Sequence, residues 1–170
     1  MAFFVTQEEL KRLPRWALVA LAAHSARKML PEFQAWQGET CRKNSLEQAV
    51  LVAEESAATA SADRRIIIAA RDAARESVDS VSHDVSISPL AFGALAAAMA
   101  AVRAAEAALA ANFGNQYVLI VAAEAAVNAA VNGHRKVRGD LESLEAAAVA
   151  QRWDDFTAVS PEFFEPSANM

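Results

Sequence analysis

The chain has 170 residues and a mass of 18.1 kDa; 54% of its residues are apolar and 22% charged, and 16 basic against 21 acidic side chains give a net charge of -5. A chain of this length makes one domain and buries roughly 70% of its unfolded surface, which excludes intrinsic disorder, and the acidic balance is the opposite of what a phosphate-binding surface needs. Cys41 stands alone, so an internally disulfide-stapled scaffold is excluded as well.

Alanine occupies 42 of the 170 positions. It is the best helix former, because it loses no side-chain entropy and hides no polar group. The one β-branched cluster, Ile66-Ile67-Ile68, lies in a context of helical period. The expected fold is therefore all-α: a single-domain antiparallel bundle of about six or seven helices over residues 1–159, with an alanine-rich central hairpin, followed by an acidic aromatic tail at 160–170.

Met1 to Val5 lacks the basic stretch and long apolar run of a signal peptide, so a cytoplasmic location is expected. Thr6 with Glu9 is a capping-box pattern opening a short helix that stops before Pro14. A second helix runs from Arg15 to about Leu30 and is ended by Pro31, with Trp16, Val19, Ala20, Ala23, Ala26 and Arg27 inward and Arg15, Ser25 and Lys28 facing water. A polar connection, Glu32 to Asn44, precedes a helix capped by Asn44 or Ser45. Helical pattern then continues to about Val81, with a kink or turn at 56–63 and Asp63 as a cap. Ile66, Ile67, Ala70, Ala73, Ala74 and Val78 are the expected core of its second part, opposite an arginine-rich face. After a polar loop at 82–88, a fifth helix ends at Asn112 before Gly114, a sixth spans Gln116 to Asn132, and the last runs from Gly139 to about Phe156.

Between Val85 and Gly133 only Arg103, Glu106 and Glu124 are charged. A membrane span wants about 20 mainly large apolar residues, so this alanine-rich stretch reads as a hairpin that is central in the fold or faces another chain; no membrane association is expected. A core of alanines needs large anchors at its ends. Trp16, Phe33, Trp36, Phe92, Phe113, Tyr117, Trp153 and Phe156 are the candidates.

The search for chemistry is mostly negative. His24, His83 and His134 have no second ligand at helical spacing, and the close Cys/His pairs of a zinc site are missing, so no metal or cofactor is expected. His83 beside Asp84, and Cys41 beside Arg42 and Lys43, read first as solvated loop groups. The neighbouring acids Glu54-Glu55 and Asp154-Asp155 diverge by about 100° on a helix. Arg103 and Glu106, three apart, can satisfy each other or form a polar ligand site with Tyr117. The basic run Arg135, Lys136 and Arg138 reads as a solvated inter-helix loop or, functionally, a docking patch for an acidic partner. Phe163 and Phe164, between Glu162 and Glu165, either dock back on the bundle or are held by a partner.

Leu13-Pro14-Arg15-Trp16-Ala17, followed by Ala22-Ala23-His24-Ser25-Ala26-Arg27-Lys28-Met29-Leu30-Pro31-Glu32-Phe33, resembles the opening helix of Imm5-type immunity proteins and of related alanine-rich helical proteins of unassigned function in planctomycetes. Leu46-Glu47-Gln48-Ala49, the segment Ala69 to Arg75 and the hairpin Leu90 to Val131 match more loosely. The resemblance implies an all-α bacterial cytosolic protein that binds and blocks a toxin and has no catalysis of its own. Two functional readings follow. One is a non-catalytic protein-binding module, immunity-like or a small subunit of a bacterial defence system, with Arg135, Lys136, Arg138, Glu162, Phe163, Phe164 and Glu165 as its contact residues. The other is a small enzyme or ligand-binding bundle using Arg103, Glu106 and Tyr117. Self-association through the hairpin is a third possibility, and direct contact with nucleic acid is not expected.

Overall fold

The computed structural model describes residues 4–36, 40–83 and 89–165. Within them the chain forms seven α-helices and no strand: α1 (Gln7–Leu10), α2 (Arg15–Ala35), α3 (Thr40–Thr59), α4 (Arg64–Ser82), α5 (Pro89–Asn112), α6 (Gln116–Asn132) and α7 (Arg138–Ala150), then a 3-10 turn, Pro161–Phe164. The all-α bundle expected from alanine content is what the chain builds.

Its centre is α5, which packs against α2, α3, α4 and α6. The facing surfaces are alanine on alanine: Ala17, Ala22, Ala23 and Ala26 of α2, and Ala94, Ala97, Ala98, Ala101, Ala104, Ala105 and Ala108 of α5, are all fully buried. Side-chain size sets how closely two helices approach. A Cβ on Gly93 of α5 would fall 2.7 Å from Glu32 Oε2, and one on Gly133 would fall 2.6 Å from Met29 Sδ, so either substitution requires those side-chain ends to move. Leu90–Asn112 is long and apolar enough to cross a membrane, but most of it is covered by these neighbouring helices.

Several local devices follow from the sequence. Thr6 and Glu9 form the capping box of α1, Asp63 accepts the amides of Arg65 and Ile66, and Asn115 accepts that of Val118. Asn128 clamps the incoming chain by accepting from the Val5 amide at 2.9 Å and donating to its carbonyl at 3.1 Å.

Other expectations are corrected. Pro31 does not end α2, which continues through it to Ala35. A proline so near a helix end removes one backbone bond, and burial of Phe33, with the Trp36 ring edge-on to it at 5.3 Å, holds the extra turn in place. Helix α3 starts at Thr40, not at Asn44 or Ser45, and its first turns are tied to α4 where Arg42 Nη1 donates to the Glu76 carbonyl. Helix α7 stops at Ala150, short of Phe156: Arg152 takes φ +53°, and the Trp153 amide reaches back to the Ala148 carbonyl at 2.9 Å. This closes the helix as a glycine would. Ser25 is fully buried although its place in the pattern faces water, and Ile66, expected in the core, is exposed.

Half of the anchors are not anchors. Trp16 and Phe33 are buried and Trp36 and Trp153 half-buried, whereas Phe92, Phe113, Tyr117 and Phe156 lie exposed. The large core residues are aliphatic instead, among them Leu18, Leu21, Met29, Leu46, Leu119 and Leu144.

Candidate functional site

Two places gather polar side chains against apolar ones. The first lies under the C-terminal segment. Beyond α7 the chain turns back at Asp154, whose side chain accepts from the Phe156 amide and the Thr157 hydroxyl. The Val159 amide then donates to the Ala57 carbonyl at the end of α3. This lays Phe164 flat on His24, with ring centroids 4.0 Å apart and planes 9° apart, and sets Phe163 edge-on to Trp153 at 5.8 Å.

Beneath these rings remains a cavity of about 450 Å³, floored by Ala20 and Ala57 and walled by His24, Arg27 and Glu54. Arg27 grips Glu54 with both Nε and Nη2, at 2.5 and 2.6 Å. The Glu54 carboxylate, through this hydrogen bond, raises the pKa of the guanidinium above its ordinary value. Beside it His24 Nε2 lies 3.3 Å from Asp140, which Lys28 also reaches at 2.5 Å. Burial works against ionisation of Asp140, but donors from His24 and Lys28 outweigh it and hold the carboxyl below its usual range.

The second place is the face where α4, α5 and the start of α6 meet. Arg75 Nη2 and Arg103 Nη1 both donate to Glu106, at 2.6 and 2.7 Å. Arg71 pairs with Asp72 at 2.9 Å, and the Arg64 guanidinium sits 5.1 Å above the Phe113 ring. Two hollows share Arg103 and Glu106 in their lining: one, about 370 Å³, adds Val78, Met99 and Val102 with Arg75 and Asp79, and the other, about 430 Å³, adds Leu109, Phe113 and Val118 with Arg71. Phe113, Tyr117 and Val118 stand exposed at its end.

The residues singled out by sequence divide between these places. Arg103 and Glu106 do pair, but Arg103 is half-exposed, Arg75 joins them, and Tyr117, 73% exposed, does not line the hollow around them. The basic run is engaged within the chain: Arg135 pairs with Glu32 at 2.7 Å, Arg138 with Glu9 at 2.6 Å, and the Lys136 carbonyl accepts from Lys28 while its side chain faces water. Phe163 and Phe164 are half-buried against the bundle; Glu162 and Glu165 stay exposed, with Glu165 at the rim of the tail-covered cavity. Cys41 falls in the first turn of α3, where side-chain detail lies outside the described residues, as does Asp84.

Sequence reasoning missed the Arg27–Glu54 and His24–Asp140 pairs, since their members lie 27 and 116 positions apart. Arg27, expected to face inward, instead lies at the exposed edge of α2 and reaches down to the buried Glu54. Among the described residues, no group of three His, Cys, Asp or Glu side chains is placed to hold a metal ion. No family model, curated protein or solved structure matches the chain.

Proposed function

We propose that this chain is a non-catalytic protein-binding module of the immunity type, acting in the bacterial cytoplasm by covering a protein partner. The observation that carries the proposal is that exposed Phe113 and Val118 line one hollow with Arg71 and Arg103, with Arg64 over the Phe113 ring. Exposed apolar side chains grouped with charged groups in this way mark interaction sites more than scattered ones do. Aromatic and arginine side chains supply most hot spots at protein interfaces. The likeness of the α2 segment to immunity proteins agrees with this reading.

Arg135 and Arg138 are paired within the chain and the tail phenylalanines pack on the bundle, so the surface proposed here is the α4–α5–α6 face. The test is capture from native host lysate with the whole chain as bait, compared with a Phe113→Ala/Tyr117→Ala double variant. A stoichiometric protein held by the parent and lost by the variant supports the proposal. Capture that ignores the double substitution, or no captured protein, overturns it.

The 450 Å³ cavity beneath the tail favours a second reading, a small-ligand-binding bundle. Its volume falls in the range of small-molecule sites. Native mass spectrometry of the purified chain separates the two readings, because a retained small molecule of constant mass is expected only from the second.

A further inference from the structure

We infer that the groove between α4 and α5 receives an amphipathic helix of the partner, with that helix's acidic end lying over Phe113. The inference rests on the binding-module reading and specifies the partner's shape and charge. Its geometry comes from Met99, Val102, Arg103, Glu106 and Leu109 of α5 and Phe113 just beyond its end, which line two hollows sharing Arg103 and Glu106. From Met99 to Phe113 is 14 positions, or about 21 Å of helix. The hollow at Val102 and the hollow at Leu109 are seven positions apart. A partner helix laid along this groove fills both with large apolar side chains spaced i and i+7 on one face.

Charge sets its direction. At the Phe113 end stand Arg64 and Arg71, facing Asp72, while Arg103, four positions from Met99, lies mid-groove on a Glu106 already engaged by two guanidiniums. Toward the Met99 end the groove is lined by Asp79 as well as Arg75. The field is therefore positive at one end and mixed at the other, in a chain whose net charge is -5. Acidic side chains at the partner's Phe113 end gain charge-assisted bonds. A nucleic acid or an anionic membrane would place phosphates on Glu106 and Asp79 along the same groove, which the like charge disfavours.

The probe is a synthetic helix-forming peptide of about 18 residues, fluorescein-labelled, with Leu at i, i+3, i+7 and i+10 and Glu on one flank of its first two turns. A matched peptide carries Lys in place of Glu. Fluorescence anisotropy against the full chain is expected to show the Glu peptide binding about tenfold or more tightly than the Lys peptide. The Arg64→Gln variant should shrink that preference. Phe113→Ala, at a side chain already exposed and outside the core, should weaken the Glu peptide about fivefold or more, and it keeps the test valid if Arg64→Gln fails to fold. Equal binding of the two peptides, binding by neither up to about millimolar concentration, or indifference to Phe113→Ala overturns the inference. Lysate capture that still depends on Phe113 and Tyr117 would then leave the binding-module reading standing alone. A concentration-dependent dimer abolished by Phe113→Ala would assign the groove to a second copy, also against the inference.

Discussion

Arg27→Met and Glu54→Gln both break the Arg27–Glu54 ion pair, yet the two losses should differ severalfold in cost. The Glu54 side chain is 9% exposed and that of Arg27 44% exposed. Arg27→Met keeps most of the aliphatic stem but leaves a carboxylate buried with its cation gone. Glu54→Gln leaves a guanidinium that can turn toward water. Losing one partner of a fully buried pair costs about 3–5 kcal/mol, whereas an exposed pair is worth about 0–1 kcal/mol. Arg27→Met sits near the lower edge of the first range, at about 3 kcal/mol, and Glu54→Gln near the top of the second, at about 1 kcal/mol. For a chain of this length each kcal/mol moves Tm by about 2–4 °C, so the expected losses are about 9 °C and about 3 °C. Urea denaturation at pH 7, followed by circular dichroism with the m-value checked for constancy, measures both. Equal costs, or a larger cost for Glu54→Gln, would refute the reasoning that the unpaired group's burial decides the penalty.

Ser25 is fully buried and its Oγ has no hydrogen-bond partner among the described residues; Ser25→Ala should stabilise the chain by about 1 kcal/mol, and a lowered Tm would refute this. The Glu9 carboxyl is held at about 2 instead of 4.5 by the Arg138 guanidinium and, next, by the Thr6 amide. Because the folded value is depressed, this contribution is complete above pH 4.5 and lost as pH falls toward 2; Glu9→Gln should make acid destabilisation shallower across that window, and superimposable acid limbs would count against the pairing. Trp16→Ala should cost about 3–5 kcal/mol because Trp16 is 3% exposed, while the half-buried Trp153, truncated the same way, should cost less than half as much; equal losses in urea would be the contrary result.

Much of the bundle was legible because its punctuation is local. A capping box, Asp63, the Asn112–Asn115 break and the Asn132–Gly133 stop each act within four residues, and helices begin or end there. The ends that were misread depend on distant partners. Pro31 is carried by Phe33 packing, the start of α3 by the bond from Arg42 to the Glu76 carbonyl of α4, and the end of α7 by a positive φ at Arg152, a residue type that gives no such signal. The same division holds for the candidate sites. Arg103 and Glu106 were found together because they are one helical turn apart, whereas Arg75, which completes their cluster, comes from another helix. The internal use of Arg135 and Arg138 was hidden for the same reason, since Glu32 and Glu9 are more than 100 positions away.

The exposure of the aromatics follows from the alanine core itself. Burial of apolar surface is worth about 25 cal/mol per Å², and alanine offers little of it, so α5 must be surrounded by many contacts to hold the fold together. Four helices surround it closely, and a seam that tight has no room for a phenylalanine. Large side chains are consequently placed at helix ends and along the one strip of α5 left open, where Met99 and Phe113 remain 44% and 57% exposed. The packing accounts for why such residues are excluded from the interior, but not for why they are large. Phe113 lies beneath Arg64 and lines the hollow that also holds Arg71 and Arg103, which is the surface the proposed partner contact uses.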